Sequence, residues 1–170
     1  MISVLYLLFT DNTNLRSINI PDSVTSIGRN TFTNCANLKT LDFPDGLSSI
    51  PASCVQGCSS IIVLDIPDGV TEIPMTSFAY MDSLVKITLP EGVTTIGNSA
   101  FDECVSLMSV NIPSTVTTIG NYAFRNCVKL QNVDIPDTVS QIGTAAFGNV
   151  MHINYNGTAT GAPWNALSIN

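Results

Sequence analysis

The side chains that could support chemistry in this 170-residue chain are few: five cysteines, one histidine and 13 acidic residues. Thiols, imidazoles and carboxylates are the usual nucleophiles, general bases and metal ligands of proteins. His152 is far from any nucleophile pattern, and the sequence holds neither a glycine-rich phosphate loop nor a carboxylate pair outside the repeat described below. The sequence therefore predicts a protein that is not an enzyme and has no cofactor or metal centre.

Four of the cysteines follow a fixed spacing. Cys35 and Cys58 are 23 residues apart, and so are Cys104 and Cys127. Stacked repeats would bring each pair into disulfide range, but side chains that point the same way into a core are typical of small buried hydrophobes. We therefore expect free thiols, with Cys54, which lies outside this column, as the more reactive one.

The acidic residues are also periodic, since eight of the 13 lie either two residues before or one residue after a regularly spaced proline. Asp42, Asp45, Asp65 and Asp68 form the densest group. Stacked carboxylates repel one another, and a cation such as Ca²⁺ could relieve this repulsion. Asp after Pro is equally ordinary turn chemistry. We expect a solvated acidic edge and keep calcium binding as the alternative.

Composition excludes several classes of protein. The chain is 45% hydrophobic and 11% charged, which excludes intrinsic disorder. A net charge of −7 and a pI near 4.2 repel phosphate backbones, so we expect no nucleic-acid partner. No stretch has the roughly 18 to 20 apolar residues of a membrane helix, so we expect no membrane partner.

A 23-residue repeat organises the chain and must position all these side chains. Prolines recur at this interval without insertion, and 11 residues after each lies an aromatic or aliphatic residue. The prolines are Pro21, Pro44, Pro67, Pro90, Pro113 and Pro136, and the second column is Phe32, Val55, Phe78, Phe101, Phe124 and Phe147.

Each repeat predicts the same local structure. The motif LxxVxIP predicts a strand that ends at the proline. The motif PDG or PDS predicts a turn, and VTxI predicts a second short strand. Ala, Phe and Cys in GNxAFxxC are spaced as in a short helical turn. Because no such unit buries its own apolar face, we predict a β-rich α/β solenoid of about six to seven coils, roughly 34 Å long at the strand spacing.

The pattern LxxVxIPxxVTxIGxxAFxxCxxL resembles the 23-residue repeat of BspA-like (Treponema-type) leucine-rich repeat proteins. The resemblance covers about 85 to 90% of the chain. It implies a bacterial protein at the cell surface or secreted, with a role in adhesion to a host extracellular protein or to a surface protein of other bacteria. The chain itself shows no export signal, so this location rests on the resemblance alone.

The two ends of the chain differ. Val4 and Phe9 fall into the repeat frame, so we assign residues 1–150 to the solenoid with a truncated first coil. This coil, with Leu5, Leu7 and Leu8, lacks polar cover, so either the chain was cut from a longer repeat protein or this end forms a homodimer. His152–Tyr155 arrives three residues early as a closing strand, and Trp164 can lie across the last coil. We assign residues 151–170 to a capping segment.

The first strand of each repeat should face outward at the positions five, four and two residues before proline. These positions bring four aliphatic residues together, which we call the apolar patch: Ile62, Val63, Val85 and Met108. Contiguous exposed apolar residues usually mark contacts, although aliphatic residues are also ordinary strand formers. Lys39 and Lys86, together with Arg16, would lie at the rim.

Two functions are compatible with this sequence. The first is a protein-binding module that uses the apolar patch, with Lys39 and Lys86 orienting the partner. The second is a structural spacer or self-assembly module within a larger repeat protein. Charge reversal within the patch distinguishes them, because only the first predicts loss of binding without unfolding.

Overall fold

The computed structural model describes residues 2–4, 8–155, 157–159, 166 and 168–169, which contain 14 short strands. The strands are β1 Ile2–Val4, β2 Ser17–Ile18, β3 Val24–Ile27, β4 Thr40–Leu41, β5 Val63–Asp65, β6 Glu72–Ile73, β7 Lys86–Thr88, β8 Thr95–Ile96, β9 Ser109–Asn111, β10 Thr118–Ile119, β11 Val133–Asp134, β12 Gln141–Ile142, β13 His152–Asn154 and β14 Ser168–Ile169.

Every strand pairing in the described structure is parallel, and strands from successive coils lie side by side. The strands that precede the prolines form the sheets β2–β4 and β5–β7–β9 and, with two strands from after the last repeat, β11–β13–β14. The strands that follow the prolines form β6–β8–β10–β12, and β3 pairs with the N-terminal β1. The register equals the repeat, as in Val63 opposite Lys86 and Lys86 opposite Ser109. The chain is thus a β-solenoid of about six coils, which confirms the repeat architecture predicted from the prolines.

The predicted helical turn is wrong, because the described residues contain no helix. Two residues in each of these turns adopt positive φ, four positions apart, as Ser99 (52°) and Glu103 (62°) do. A left-handed residue cannot continue a right-handed helix. The backbone N–H of Phe101 donates instead to the carbonyl of Ala123, 2.8 Å away in the next coil. Alternate N–H groups of the turn therefore join neighbouring coils, while those of Asp102 and Cys104 bond within the turn to the carbonyl three residues earlier.

Phenylalanine rings fill the interior as a stack. The rings of Phe101 and Phe124 have centroids 5.1 Å apart, and Phe78–Phe101 and Phe124–Phe147 are each spaced by 5.3 Å. Phe9 stacks on Phe32 at 5.4 Å, and Val55 then takes the place of the next ring. Since these rings are almost fully buried, apart from Phe9, the stack is a major source of hydrophobic stabilisation.

The coil that follows Pro44 departs from the others. Ser49 and Ile50 lie where other coils form their second strand, and they form none. The first-strand sheet is also interrupted there, because β4 and β5 belong to different sheets. Val55, the only non-aromatic residue in the phenylalanine column from Phe32 to Phe147, lies in the same coil.

Both ends add strands to the solenoid. Val4 of β1 lies opposite Ile27 of β3, at the 23-residue spacing. The predicted closing strand is confirmed as β13, in which Ile153 lies opposite Val133, only 20 residues earlier in the chain. The side chains of Leu5, Leu7 and Trp164 lie outside the described residues, while Leu8 is exposed. The assignment of residues 1–150 to a solenoid and 151–170 to a cap stays a prediction.

Candidate protein-binding face

The candidate face is the outer surface of the strands that precede the prolines. Strand side chains alternate between two faces, so Leu64 and Ile87 are buried while Val63 and Lys86, each one residue earlier, point outward. The turn after each strand begins at a proline whose carbonyl accepts a bond from the residue three positions later, as from Val70 to Pro67 at 3.0 Å. This local structure repeats in each coil and therefore arranges the outward side chains in straight columns.

Three residues of the apolar patch are strongly exposed: Ile62 (57%), Val63 (57%) and Met108 (53%). Val85 is half-buried between them. The backbone N–H of Val85 donates to the carbonyl of Ile62, and that of Met108 to the carbonyl of Val85, both at 2.9 Å. The structure therefore brings the four predicted patch residues together where three neighbouring strands of one sheet begin.

The two predicted basic residues lie at the edges of this patch. Lys86 is exposed directly beside Val63 in the neighbouring strand. Lys39 is exposed in the coil before Ile62, and its backbone N–H donates to the carbonyl of Arg16 at 2.9 Å. The lysine side chains can therefore orient a charged group of a partner on either side of the apolar centre.

The predicted acidic group borders the same face. Asp42, Asp45, Asp65 and Asp68 are exposed and line a groove of about 470 Å³ at the interruption between β4 and β5. Within the described part of the chain, no three Asp, Glu, His or Cys side chains are grouped as a metal site. The acidic edge therefore borders the candidate face, and calcium binding by these carboxylates stays a prediction.

The cysteines are structural. All five are free and buried, as expected. The thiol of Cys58 donates to the carbonyl of Phe32 at 3.1 Å, and Cys104 and Cys127 bond to Phe78 and Phe101 in the same way. The prediction that Cys54 is the reactive thiol is wrong, because Cys54 has no exposed surface and burial raises its pKa strongly. A buried thiol of raised pKa forms little thiolate, the reactive form.

One ion pair was missed by the sequence analysis. Asp102 is only 2% exposed, and both of its carboxylate oxygens accept bonds from the guanidinium of Arg125. The guanidinium also lies over the ring of Tyr122, 4.8 Å from its centroid. The bond to Asp102 raises the pKa of Arg125. The signal was present, since opposite charges stand 23 residues apart where Ala79 occupies the equivalent position of the preceding coil.

Among the residues that the structure describes, there is no helix long and apolar enough to cross a lipid bilayer.

Comparison with known proteins identifies the repeat. The sequence pattern of the BspA type leucine rich repeat region, in six copies, matches residues 6–129 and 94–159. None of the curated proteins matches the chain.

Solved structures share the solenoid. A T. pallidum leucine rich repeat protein (TpLRR) is 28% identical with a TM-score of 0.79, over 88% of this chain and 70% of its own. A leucine-rich repeat protein from Eubacterium ventriosum is 25% identical with a TM-score of 0.74, over 95% of this chain and 44% of its own. A leucine rich cell surface protein from Faecalibacterium prausnitzii, 19% identical, shares the fold with a TM-score of 0.56 over 99% of this chain and 68% of its own.

The family pattern covers most of the chain, and its 23-residue period is the period that the strands follow in three dimensions. The chain therefore belongs to the BspA-type leucine-rich repeat family.

Proposed function

We propose that this chain is a non-catalytic binding module that holds a protein partner against the outer face of its first-strand sheet. The observation that carries the proposal is the exposure of Ile62, Val63 and Met108 around the half-buried Val85, at the start of strands whose other side is packed into the core. A soluble surface that groups large aliphatic side chains usually marks a contact.

The rigidity of the sheet supports this role. Ile62, Val85 and Met108 are joined by successive backbone hydrogen bonds of 2.9 Å, so the patch keeps its shape without a partner. A preformed surface loses less conformational entropy on binding than a flexible one. The lysines at the rim favour one orientation of the partner, since charged rims contribute mainly to specificity and association rate.

The relatives support a location outside the cell. The Faecalibacterium protein with the same fold is described as a leucine rich cell surface protein. We propose that this chain is likewise displayed at a bacterial surface or secreted, where its partner is a host extracellular protein or a surface protein of another bacterium.

The test is a binding measurement with paired variants. The wild-type chain, a Val63→Glu/Met108→Glu variant and a Val128→Glu variant are passed over immobilised purified extracellular-matrix proteins and bacterial surface proteins. Val128 is a matched control, because it is 50% exposed and lies outside the candidate face. We expect the double variant to bind at least one panel protein tenfold or more weakly than wild type, with Val128→Glu unchanged.

Circular dichroism must show that the double variant remains folded, which its exposed positions favour. The proposal is wrong if the wild type binds no member of the panel, or if the double variant binds as tightly as the wild type. The latter result would favour the spacer or self-assembly function.

A further inference from the structure

The coil of residues 21–43 and the coil of residues 44–66 are joined less completely than other neighbouring coils. We propose that the boundary between them, which we call the joint, divides the solenoid into two units. The N-terminal unit, residues 8–43, opens as a whole while the C-terminal unit, residues 44–155, stays folded. This inference does not depend on the proposed function, because it concerns the stacking of the coils.

Neither strand position is paired across the joint. β4 and β5 belong to different sheets, and Ser49 and Ile50 form no strand beside β3. Among the described coils, this is the only boundary without a strand pairing, since each of the others keeps at least one, such as β8–β10. The backbone bonds that cross the joint lie in the turn, as from Phe32 to Cys54 at 2.9 Å. The joint therefore holds on one side of the coil only.

Two prolines explain why the second strand is missing here. In a regular coil, a glycine N–H donates to an isoleucine carbonyl of the preceding coil, as Gly97 does to Ile73 at 2.7 Å. Pro51 and Pro74 occupy the equivalent positions in their coils, and proline has no N–H to donate. Pro51 therefore removes the bond to Ile27 across the joint, and Pro74 removes the corresponding bond on the other side of the same coil.

The core is also interrupted at the joint. The ring of Phe32 stacks on that of Phe9 in the preceding coil, but the next position in the column is Val55. Stacked aromatic pairs contribute beyond the area that they bury. The joint therefore lacks a ring contact that Phe78, Phe101, Phe124 and Phe147 form at each boundary between their coils.

Like charges face each other across the joint. Asp42 and Asp65 occupy the same repeat position in adjacent coils, and both line the groove of about 470 Å³ between β4 and β5. Neighbouring carboxylates repel each other. Near the C-terminal end of the solenoid, Asp134 instead has Asn154 opposite, whose side-chain amide donates to it at 2.7 Å. The charges therefore favour separation of the coils at the joint.

These features define the unit that opens. Each coil of a solenoid contacts only its neighbours, so one part stabilises another only through the boundary between them. Proteins open locally in such cooperative units. Lys39 lies in the N-terminal unit and the apolar patch lies in the C-terminal unit. Opening therefore moves Lys39 away from the patch while the sheet β5–β7–β9 stays intact.

The experiment compares two matched cysteines. Cys58 and Cys104 are both without exposed surface, and each thiol donates to a phenylalanine carbonyl of the preceding coil at 3.1 Å. Only the bond from Cys58 crosses the joint. The wild-type chain is incubated with iodoacetamide in native buffer, and the labelling rate of each cysteine is measured by peptide mass spectrometry. We expect Cys58 to be labelled at least about tenfold faster than Cys104.

Cys35 tests whether the N-terminal unit opens as a whole. It is buried in this unit, and its thiol donates to the carbonyl of Phe9 at 3.0 Å. Opening of the whole unit exposes Cys35 and Cys58 together, so their labelling rates should agree within about threefold. Fraying of single coils from the N-terminal end would expose Cys35 first.

Two repairs should close the joint, each with a matched control. Asp42→Asn/Asp65→Asn removes the repulsion, and Asp22→Asn/Asp137→Asn removes the same charge at exposed positions elsewhere. Pro51→Gly restores the donor to Ile27, and Pro74→Gly restores one at the next boundary. We expect both repairs to lower the ratio of the Cys58 rate to the Cys104 rate at least about threefold, and both controls to change it less than about twofold.

The ratio compares two sites in the same molecule, so a uniform change in stability cancels. The aspartates are exposed, so the test stands even where Pro51→Gly does not fold. Equal labelling of Cys58 and Cys104, labelling of Cys35 well ahead of Cys58, or a ratio that neither repair lowers would each overturn the joint. None of these results bears on the proposed function, which is measured by binding.

Discussion

Arg125 binds Asp102 of the preceding coil through two nitrogen atoms, with Nε 2.8 Å from Oδ1 and Nη2 2.5 Å from Oδ2. The carboxylate is buried, whereas the arginine side chain is 38% exposed. The neighbouring coil places Ala79 at the position of Asp102, also without exposed surface. The buried carboxylate of Asp102 therefore needs the guanidinium as its partner, whereas an alanine can occupy the same position without one.

This asymmetry predicts unequal effects of removing either partner. Arg125→Met should lower the free energy of unfolding by about 2 to 3 kcal/mol, because it leaves a buried carboxylate without its partner. Asp102→Ala should cost less than about 1 kcal/mol, because the remaining guanidinium reaches water. Urea denaturation of the two variants and of the double variant measures both effects and their coupling.

The double variant is the control. It should be more stable than Arg125→Met alone, since neither charge is then buried. Equal losses for the two single variants would contradict the asymmetry.

The buried thiols predict a loss of stability at alkaline pH. Burial raises the pKa of Cys58 to about 12, against about 8.5 in an unfolded chain. Between these values the unfolded state releases a proton that the folded state keeps, so stability is fully present below about pH 8.5 and falls as pH rises through this window. The fall is about 1.4 kcal/mol per pH unit for each such thiol.

Cys58→Val isolates one thiol, because Val150 fills the equivalent position of the last repeat and is fully buried. Between pH 9 and pH 10, the urea-derived free energy of unfolding should fall by about 1.2 kcal/mol less in the variant than in the wild type. If the free energy of unfolding falls equally with pH in the two proteins, the raised pKa of Cys58 is refuted.

The phenylalanine stack predicts a large cost for Phe101→Ala. Phe101 has no exposed surface and stacks on rings at 5.3 and 5.1 Å on its two sides. Truncation of a buried Phe to Ala typically costs about 3 to 5 kcal/mol. Thermal and urea unfolding should show this loss, whereas Phe9→Ala, which removes a half-buried ring with a described stacking partner on one side, should cost less than half as much. A similar loss of unfolding free energy at both positions would contradict the expected dependence on ring burial and on the number of stacking partners.

The left-handed turn positions predict intolerance of β-branched side chains. Asn126 has a φ of 61°, and its side chain donates to Glu103 and accepts from Asn149, each at 2.6 Å. Asn126→Val should lower the melting temperature by an amount equivalent to about 2 kcal/mol, since valine strongly disfavours this backbone conformation and makes neither bond. Asn14→Val, at an exposed position without positive φ, is the control and should change stability by less than about 0.5 kcal/mol.

Much of the fold was predictable because one local pattern is repeated. The spacing of the prolines indicated the coil length, and the alternation around Leu64 and Ile87 indicated which strand face is buried. The same columns placed Ile62, Val63 and Met108 together on the outside. The outward face could therefore be predicted without coordinates, although its binding role remains a proposal.

The turn that carries Phe101 and Cys104 could not be assigned correctly from spacing. Side chains at intervals of three and four residues fit a helix and also fit a left-handed turn that points the same residues inward. The two differ in the partners of their backbone N–H groups, and here those of Phe32 and Phe101 bond to the next coil. That choice depends on a neighbour 22 residues away, which local sequence does not reveal.

The sequence by itself determined the period, the buried columns and the acidic edge, because each follows from a residue type repeated at 23-residue intervals. Only the tertiary structure decided features that depend on departures from the repeat. Ser49 and Ile50 form no strand, Cys54 is fully buried, and the buried Asp102 is paired because Arg125 lies in the next coil. The physical reason is that periodicity predicts what successive coils share, whereas the consequence of one altered residue depends on the side chains that the stacking places around it.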